Sequence, residues 1–96
     1  MFIVSVRYKQ PLEMVEHHLP AHIAFLDRYF AKNVFIASGR KVPRTGGVIL
    51  AHDVTRQELE EIISRDPFKS NNVADYEVTE FVPNRTAPEY ARLLNL

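Results

Sequence analysis

The chain has 96 residues, with twelve Lys and Arg against twelve Asp and Glu, four His and no Cys. This length makes one small domain, 1–96, and the absence of cysteine excludes disulfides, thiolate nucleophiles and Cys-based zinc or iron–sulfur sites. Composition is that of a globular protein, and a chain of zero net charge lacks the overall basic field of a duplex-binding protein.

Met1 to Tyr8 alternates with period two and is rich in β-branched residues, which predicts a first strand. It has no basic segment ahead of an apolar core stretch, so no secretory leader is expected. No apolar run approaches the ~20 residues of a membrane span. The expectation is a soluble cytoplasmic protein with no membrane or nucleic-acid partner.

Leu12 to about Lys32 follows as a helix, because Val15, Leu19, Ile23, Leu26 and Phe30 recur at helical spacing. Pro20 falls inside it. Proline removes its own N–H bond to the carbonyl four residues back, that of Glu16, and its ring crowds that carbonyl. The helix is therefore expected to kink or restart near Pro20. His22 lies on the apolar stripe, an unusual place for an imidazole.

Val34 to Ser38 reads as a second strand, Gly39 to Gly47 as a polar connection, and Gly47 to Asp53 as a third strand paired with the second in a hairpin. Thr55-Arg56-Gln57-Glu58 is a capping box: the Thr55 hydroxyl accepts from the N3 amide while the Glu58 carboxylate reaches back. The helix it opens runs to about Ser64 and buries Leu59, Ile62 and Ile63. A tight Asp66-Pro67-Phe68 turn comes next. The fourth strand runs from about Ala74 to Val82, and Ala87 to Leu96 has the pattern of a last helical turn or two.

The order strand, helix, strand, strand, helix, strand predicts an α+β, ferredoxin-like βαββαβ fold: a four-stranded antiparallel sheet with two helices on one face. Two helices cover only that face. Yet Phe35 and Ala37 alternate with Val34 and Ile36, and Ile49 and Ala51 with Val48 and Leu50, so both faces carry apolar groups. A sheet facing water on one side alternates more cleanly. A second copy of the chain is the simplest cover, which makes a homodimer the expected partner state.

Among candidate site residues, His22 suits general acid or base work because imidazole titrates near neutrality. Its plainer reading is a half-buried histidine bonded to a backbone carbonyl, such as that of Glu16. Asp66 follows a helix C-terminus, where the dipole disfavours a carboxylate. Either it caps the next turn, with Pro67 at the first helical position, or a cation such as His22 answers it. His18 and His22 share a helix face but supply only half of a zinc site, so no metal is expected. His17 and His52 read as surface or strand-end residues. Arg40, Lys41 and Arg44 form a loop cluster that suits a small anionic ligand. No phosphate loop, dinucleotide fingerprint or nucleophile elbow occurs, so no cofactor is expected.

Taken together, Pro20-Ala21-His22, Ser38-Gly39, Gly46-Gly47 and Asp66-Pro67-Phe68 resemble the YCII-related domain family, in order and over nearly the whole chain. The resemblance implies a ferredoxin-like fold that dimerises into an α+β barrel. It also implies that His22 and Asp66 face one pocket as a catalytic pair. Some relatives eliminate chloride from chlorinated hydroxyquinol-type aromatics, and the wider barrel superfamily includes lactone isomerases. The chain departs from the pattern at Leu19, where many members carry Arg, and at Arg40, where Ser/Ala-Gly is usually followed by Pro.

Two readings follow. In the first the protein is a lyase or isomerase of a small anionic, aromatic or lactone-like substrate, with His22 as general acid or base and Asp66 as its orienting carboxylate. Ser38 and the amide of Gly39 then donate to a developing oxyanion, and Arg40 holds a negative group. In the second it is a non-catalytic ligand-binding or accessory module with a structural His22–Asp66 pair. Solvent access separates them: a catalytic pair borders an open cavity, and a structural pair is sealed.

Overall fold

A computed structural model describes residues 1–95 of the chain. Its elements are β1 (Phe2–Tyr8), α1 (Leu12–Ala31), β2 (Phe35–Arg40), β3 (Gly46–Ala51), α2 (Arg56–Ile63), α3 (Pro67–Ser70) and β4 (Ala74–Glu80), followed by a 3-10 segment, Pro88–Asn95, interrupted at Tyr90. The strands form one antiparallel sheet in the order β2-β3-β1-β4, the ferredoxin-like topology. The expected last helical turns take 3-10 form, and Leu96 lies outside the described residues.

One hydrophobic core joins the inward faces of the central strands (Phe2, Val4, Val6, Ile49, Ala51) to Val15, Phe25 and Tyr29 of α1, Leu59, Ile62 and Ile63 of α2, and Phe68 of α3. All three helices therefore lie on the same face of the sheet. Fully burying side chains such as Phe2, Phe68 or Leu59 contributes about 1.5–3 kcal/mol each.

Gly46 is required by close approach. A Cβ there would stand 1.8 Å from the Val6 carbonyl oxygen, so only glycine lets β3 lie against β1 at this point. Helices α1 and α3 end alike. Asn33 and Asn72 take left-handed backbone (φ 58° and 57°). The following residues, Val34 and Val73, donate back to Tyr29 and Phe68. That is the Schellman arrangement, in which asparagine stands in for glycine.

Several expectations are corrected. Helix α1 is one continuous helix through Pro20, so of the two expected alternatives the restart is overturned. Proline forfeits one bond and crowds one carbonyl, but core contacts on both sides of it, Val15 before and Phe25 and Tyr29 after, hold the helix together. The buried side of α1 is Val15, Phe25 and Tyr29, whereas Ile23 is 46% exposed and Leu19, Leu26 and Phe30 are half-buried.

Strand β2 begins at Phe35 and continues through Gly39 to Arg40, so Arg40 stands on a strand and not in the loop. A bulge between Phe35 and Ala37 resets its alternation. Phe35, Ser38 and Arg40 pair with Ala51, Ile49 and Gly47 on the helix side, while Ala37 and Gly39 pair with Leu50 and Val48 on the other. The simple alternation of Phe35 and Ala37 with Val34 and Ile36 does not hold. Strand β3 opens at Gly46 and closes at Ala51, short of the left-handed Asp53, and β4 stops at Glu80. Among the described residues no helix is long and apolar enough to cross a membrane.

Candidate functional site

Asp66 is the hub of the site. It is the N-cap of α3, with Pro67 at the first helical position, and its side chain is fully buried. Its Oδ1 accepts the Phe68 amide at 3.0 Å and faces His22 Nδ1 at 2.8 Å. The Tyr76 hydroxyl, from β4, donates to Oδ2. The two readings of Asp66, cap and histidine partner, are therefore both correct, because one carboxylate performs both tasks.

The Phe68 amide and the Tyr76 hydroxyl already donate to the two oxygens of this one buried side chain, which leaves it the accepting partner toward His22. A carboxylate only accepts, so the proton between it and His22 sits on Nδ1, which leaves the lone pair on Nε2. The bond to a backbone carbonyl, the plainer reading of His22, is not what forms. The imidazole lies flat on the Phe68 ring (centroids 4.0 Å apart, planes 4° apart), with Phe25 6.2 Å away and 26° off parallel. Packing thus fixes the ring plane and Asp66 fixes its rotation.

Tyr76 escaped the sequence reading. Its alternation with Val78 shows which face it occupies, but nothing local announces a partner ten residues away. Burial first, then the negative charge of Asp66 and the bond to it, push the Tyr76 phenol well above its usual range, so it remains a donor.

His22 opens on a cavity of about 410 Å³ between α1 and the β2–β3 hairpin. Leu19, Ile23, Leu26, Ile49 and Phe68 give it apolar walls, and Ser38, Gly39, Arg40, Arg44, Glu16 and Tyr8 add polar atoms. The cavity explains the misplaced stripe on α1: the apolar residues beside the core face line this space. His22 sits between the two, its side chain 12% exposed against 0% for Asp66.

The expected substrate-binding residues Ser38, Gly39 and Arg40 all reach this cavity. The Gly39 amide turns away from it. Lys41 donates to the Gly46 carbonyl, and hydrogen-bonded pairs alternate in an antiparallel ladder. The next such pair is therefore Gly39 with Val48, which commits the Gly39 N–H to β3. The Ser38 hydroxyl and the Arg40 guanidinium are the side-chain donors that this strand brings to the cavity.

The basic cluster divides. Arg44 donates to Glu16 Oε1 at 2.9 Å, and this bond, followed by one to Tyr8, raises the Arg44 pKa. Lys41 is not part of the cavity wall, and Arg40 lines it with no ion pair among the described residues. His17 and His18 meet edge to face on α1. His52, just after β3, donates through Nε2 to the Asn33 carbonyl. Among the described residues no three His, Asp or Glu side chains converge as metal ligands do.

Comparison with known proteins agrees with this architecture. The family model of the YCII-related domain matches residues 1–82. Among solved structures the chain is similar to the 5-chloro-2-hydroxyhydroquinone dehydrochlorinase (TftG) of Burkholderia phenoliruptrix AC1100, in complex with 2,5-dihydroxybenzoquinone. That similarity has a TM-score of 0.70 at 18% identity and covers 84% of this chain and 93% of the other, a likeness of fold. No curated protein matches the chain.

Proposed function

We propose that this chain, which belongs to the YCII-related domain family, transfers protons to and from a small anionic ring compound in the cavity beside His22. One observation carries the reading: the His22–Asp66 pair is sealed at its carboxylate and open at its imidazole. A pair made only for structure has no use for the open half. Asp66 holds the Nδ1–H and balances the charge when Nε2 takes a proton, the arrangement general acid–base chemistry needs. The apolar walls suit a ring, Arg40 supplies the counter-charge, and the Ser38 hydroxyl stands where an enolate or phenolate oxygen would need a donor.

The fold likeness to a dehydrochlorinase favours lyase or isomerase chemistry on a hydroxyquinone-like or lactone-like anion. In such a reaction Nε2 takes a proton from ring carbon or returns one to it, while the electron pair moves through the ring to an oxygen or a leaving group.

The assembly is part of this proposal. Ile3, Ala37, Val48 and Leu50 form an apolar patch on the sheet face away from the helices, and Ile3 is 36% exposed. A second copy seated there closes an α+β barrel. Light scattering at micromolar concentration should give twice the chain mass, with an interface upward of ~2,000 Å². A monomer at high concentration refutes the barrel.

The chemical test uses 2,5-dihydroxybenzoquinone as probe in deuterated buffer. Ring hydrogen should exchange for deuterium faster with protein than with buffer, each of the two C–H ring carbons taking one deuteron and losing one proton. His22→Gln should remove the acceleration, by a factor on the order of 10²–10⁴. Binding of the probe, seen as a rise in Tm, with exchange at the buffer rate would favour the non-catalytic ligand-binding module.

A further inference from the structure

Among the described residues the Tyr76 hydroxyl gives the one hydrogen bond to the His22–Asp66 pair that comes from the sheet. Oδ1 of Asp66 already serves two donors, the His22 ring and the Phe68 amide. Oδ2 has Tyr76 alone among the described residues. A fully buried carboxylate oxygen without a donor is costly, and a carboxylate held by only one oxygen is free to tilt its plane. Tyr76 stands on the edge strand β4 directly opposite Val6 of the central strand β1, and its half-buried ring packs against the core, which ties it to the fold. Lys69 Nζ lies 5.5 Å from the centroid of the same ring.

We propose that Tyr76 is a positioning residue: by donating to Oδ2 it fixes the Asp66 carboxylate so that Oδ1 holds His22 in the Nδ1–H tautomer, with Nε2 toward the cavity. The inference rests on the acid–base reading of this site and deepens it. Three elements then set one proton position. Helix α1 brings the imidazole, α3 brings the carboxylate, and β4 locks the carboxylate from behind. Tyrosine suits the task because its hydroxyl remains protonated beside the carboxylate and its ring fills the space that a shorter donor would leave empty.

The test reads the tautomer without substrate. In wild-type protein carrying ¹⁵N-labelled histidine, the two ring nitrogens of His22 should show the Nδ1–H form alone. In Tyr76→Phe, which removes only the hydroxyl, the Nε2–H form should appear beside it. In the deuterium-exchange assay kcat should fall about tenfold with KM within about twofold, the scale on which an orienting partner acts. Installing 3-fluorotyrosine at position 76 restores a donor of nearly the same volume and should return both readouts to the wild-type state.

If Tyr76→Phe does not fold, a series of ring-fluorinated tyrosines keeps the volume and grades the donor strength. The His22 Nδ1–H resonance should then move in the order of that strength. A flat series, or a Tyr76→Phe protein with one tautomer and unchanged kcat, overturns the inference and leaves Tyr76 a structural tie between β4 and α3. A wild-type protein that lacks exchange activity but loses its single tautomer in Tyr76→Phe refutes the acid–base reading and upholds the role of Tyr76.

Discussion

Two helix N-termini lie about ten residues apart in this chain and are capped in opposite surroundings. Helix α2 opens with Thr55 and Glu58, whose reciprocal bonds of 3.1 and 3.0 Å form in solvent-exposed positions. Helix α3 opens with Asp66, which accepts the Phe68 amide at 3.0 Å from complete burial. The exposed box caps the start of a helix. The buried cap has a carboxylate with capacity to spare, and burial lets His22 and Tyr76 use it. One local motif becomes a chemical group because of what tertiary packing places around it.

The largest effect that would break this contrast is a difference in stability. Asp66→Ala removes one member of a buried hydrogen-bonded pair and should cost about 3–5 kcal/mol, or a fall in Tm of more than ~10 °C for a domain of this size. Thr55→Ala loses only a cap and should cost about 0.5–2 kcal/mol. Chemical or thermal denaturation of the two variants checks this, and equal losses would make Asp66 a cap and nothing else.

Asp66→Asn sharpens the point. The amide oxygen still caps Phe68, so much of the stability should remain, while exchange of the quinone probe should fall on the order of 10²–10⁴ for want of the charge. Near-normal exchange in this variant would separate the carboxylate from the chemistry.

Legibility in the sequence follows the same division. The Thr55–Glu58 box and the Asp66-Pro67 cap are local, so four consecutive letters suffice to find them. The order of elements also followed from alternation and periodicity in each segment. What escaped depends on contacts far apart in the chain. Tyr76 meets Asp66 only because the fourth strand lies in a particular register against the first. The β2 bulge, which sends Phe35 and Ser38 to the same face, is a property of pairing with β3. The apolar stripe of α1 mixed two surfaces, core and cavity, which use the same residue types: Phe25 is 7% exposed and Ile23 46%.

The opposite wall of the cavity extends the comparison at smaller amplitude. Arg40 is exposed and unpaired among the described residues, so Arg40→Ala should leave the free protein within about 0.5 kcal/mol of wild type. It should nevertheless abolish the rise in Tm given by sulfate or a small aromatic carboxylate, which acts by mass action on the folded state. A rise of equal size in the variant would assign the effect to salt in general.

The smallest effect is at the exposed cap. Bonds from the Thr55 backbone and hydroxyl hold the Glu58 pKa below its ordinary value. A carboxylate lowered in the folded state contributes stability that is present above its unfolded value of ~4.3 and lost as pH falls through the folded one. Glu58→Gln should flatten a small part of the acid limb of the stability curve, measured as Tm against pH, and change nothing in the chemistry. A change in probe exchange would contradict the division between the two caps.

The central claim is that His22 presents Nε2 to a ligand while Asp66 holds Nδ1. A crystal structure of the protein soaked with 2,5-dihydroxybenzoquinone tests it most directly. The account predicts the ring in the cavity against Leu19, Ile23 and Phe68, with an oxygen or ring carbon within about 3.5 Å of His22 Nε2 and the Arg40 guanidinium turned toward an oxygen. A quinone bound elsewhere, or an imidazole whose Nε2 is closed off from the ligand by protein, would contradict it.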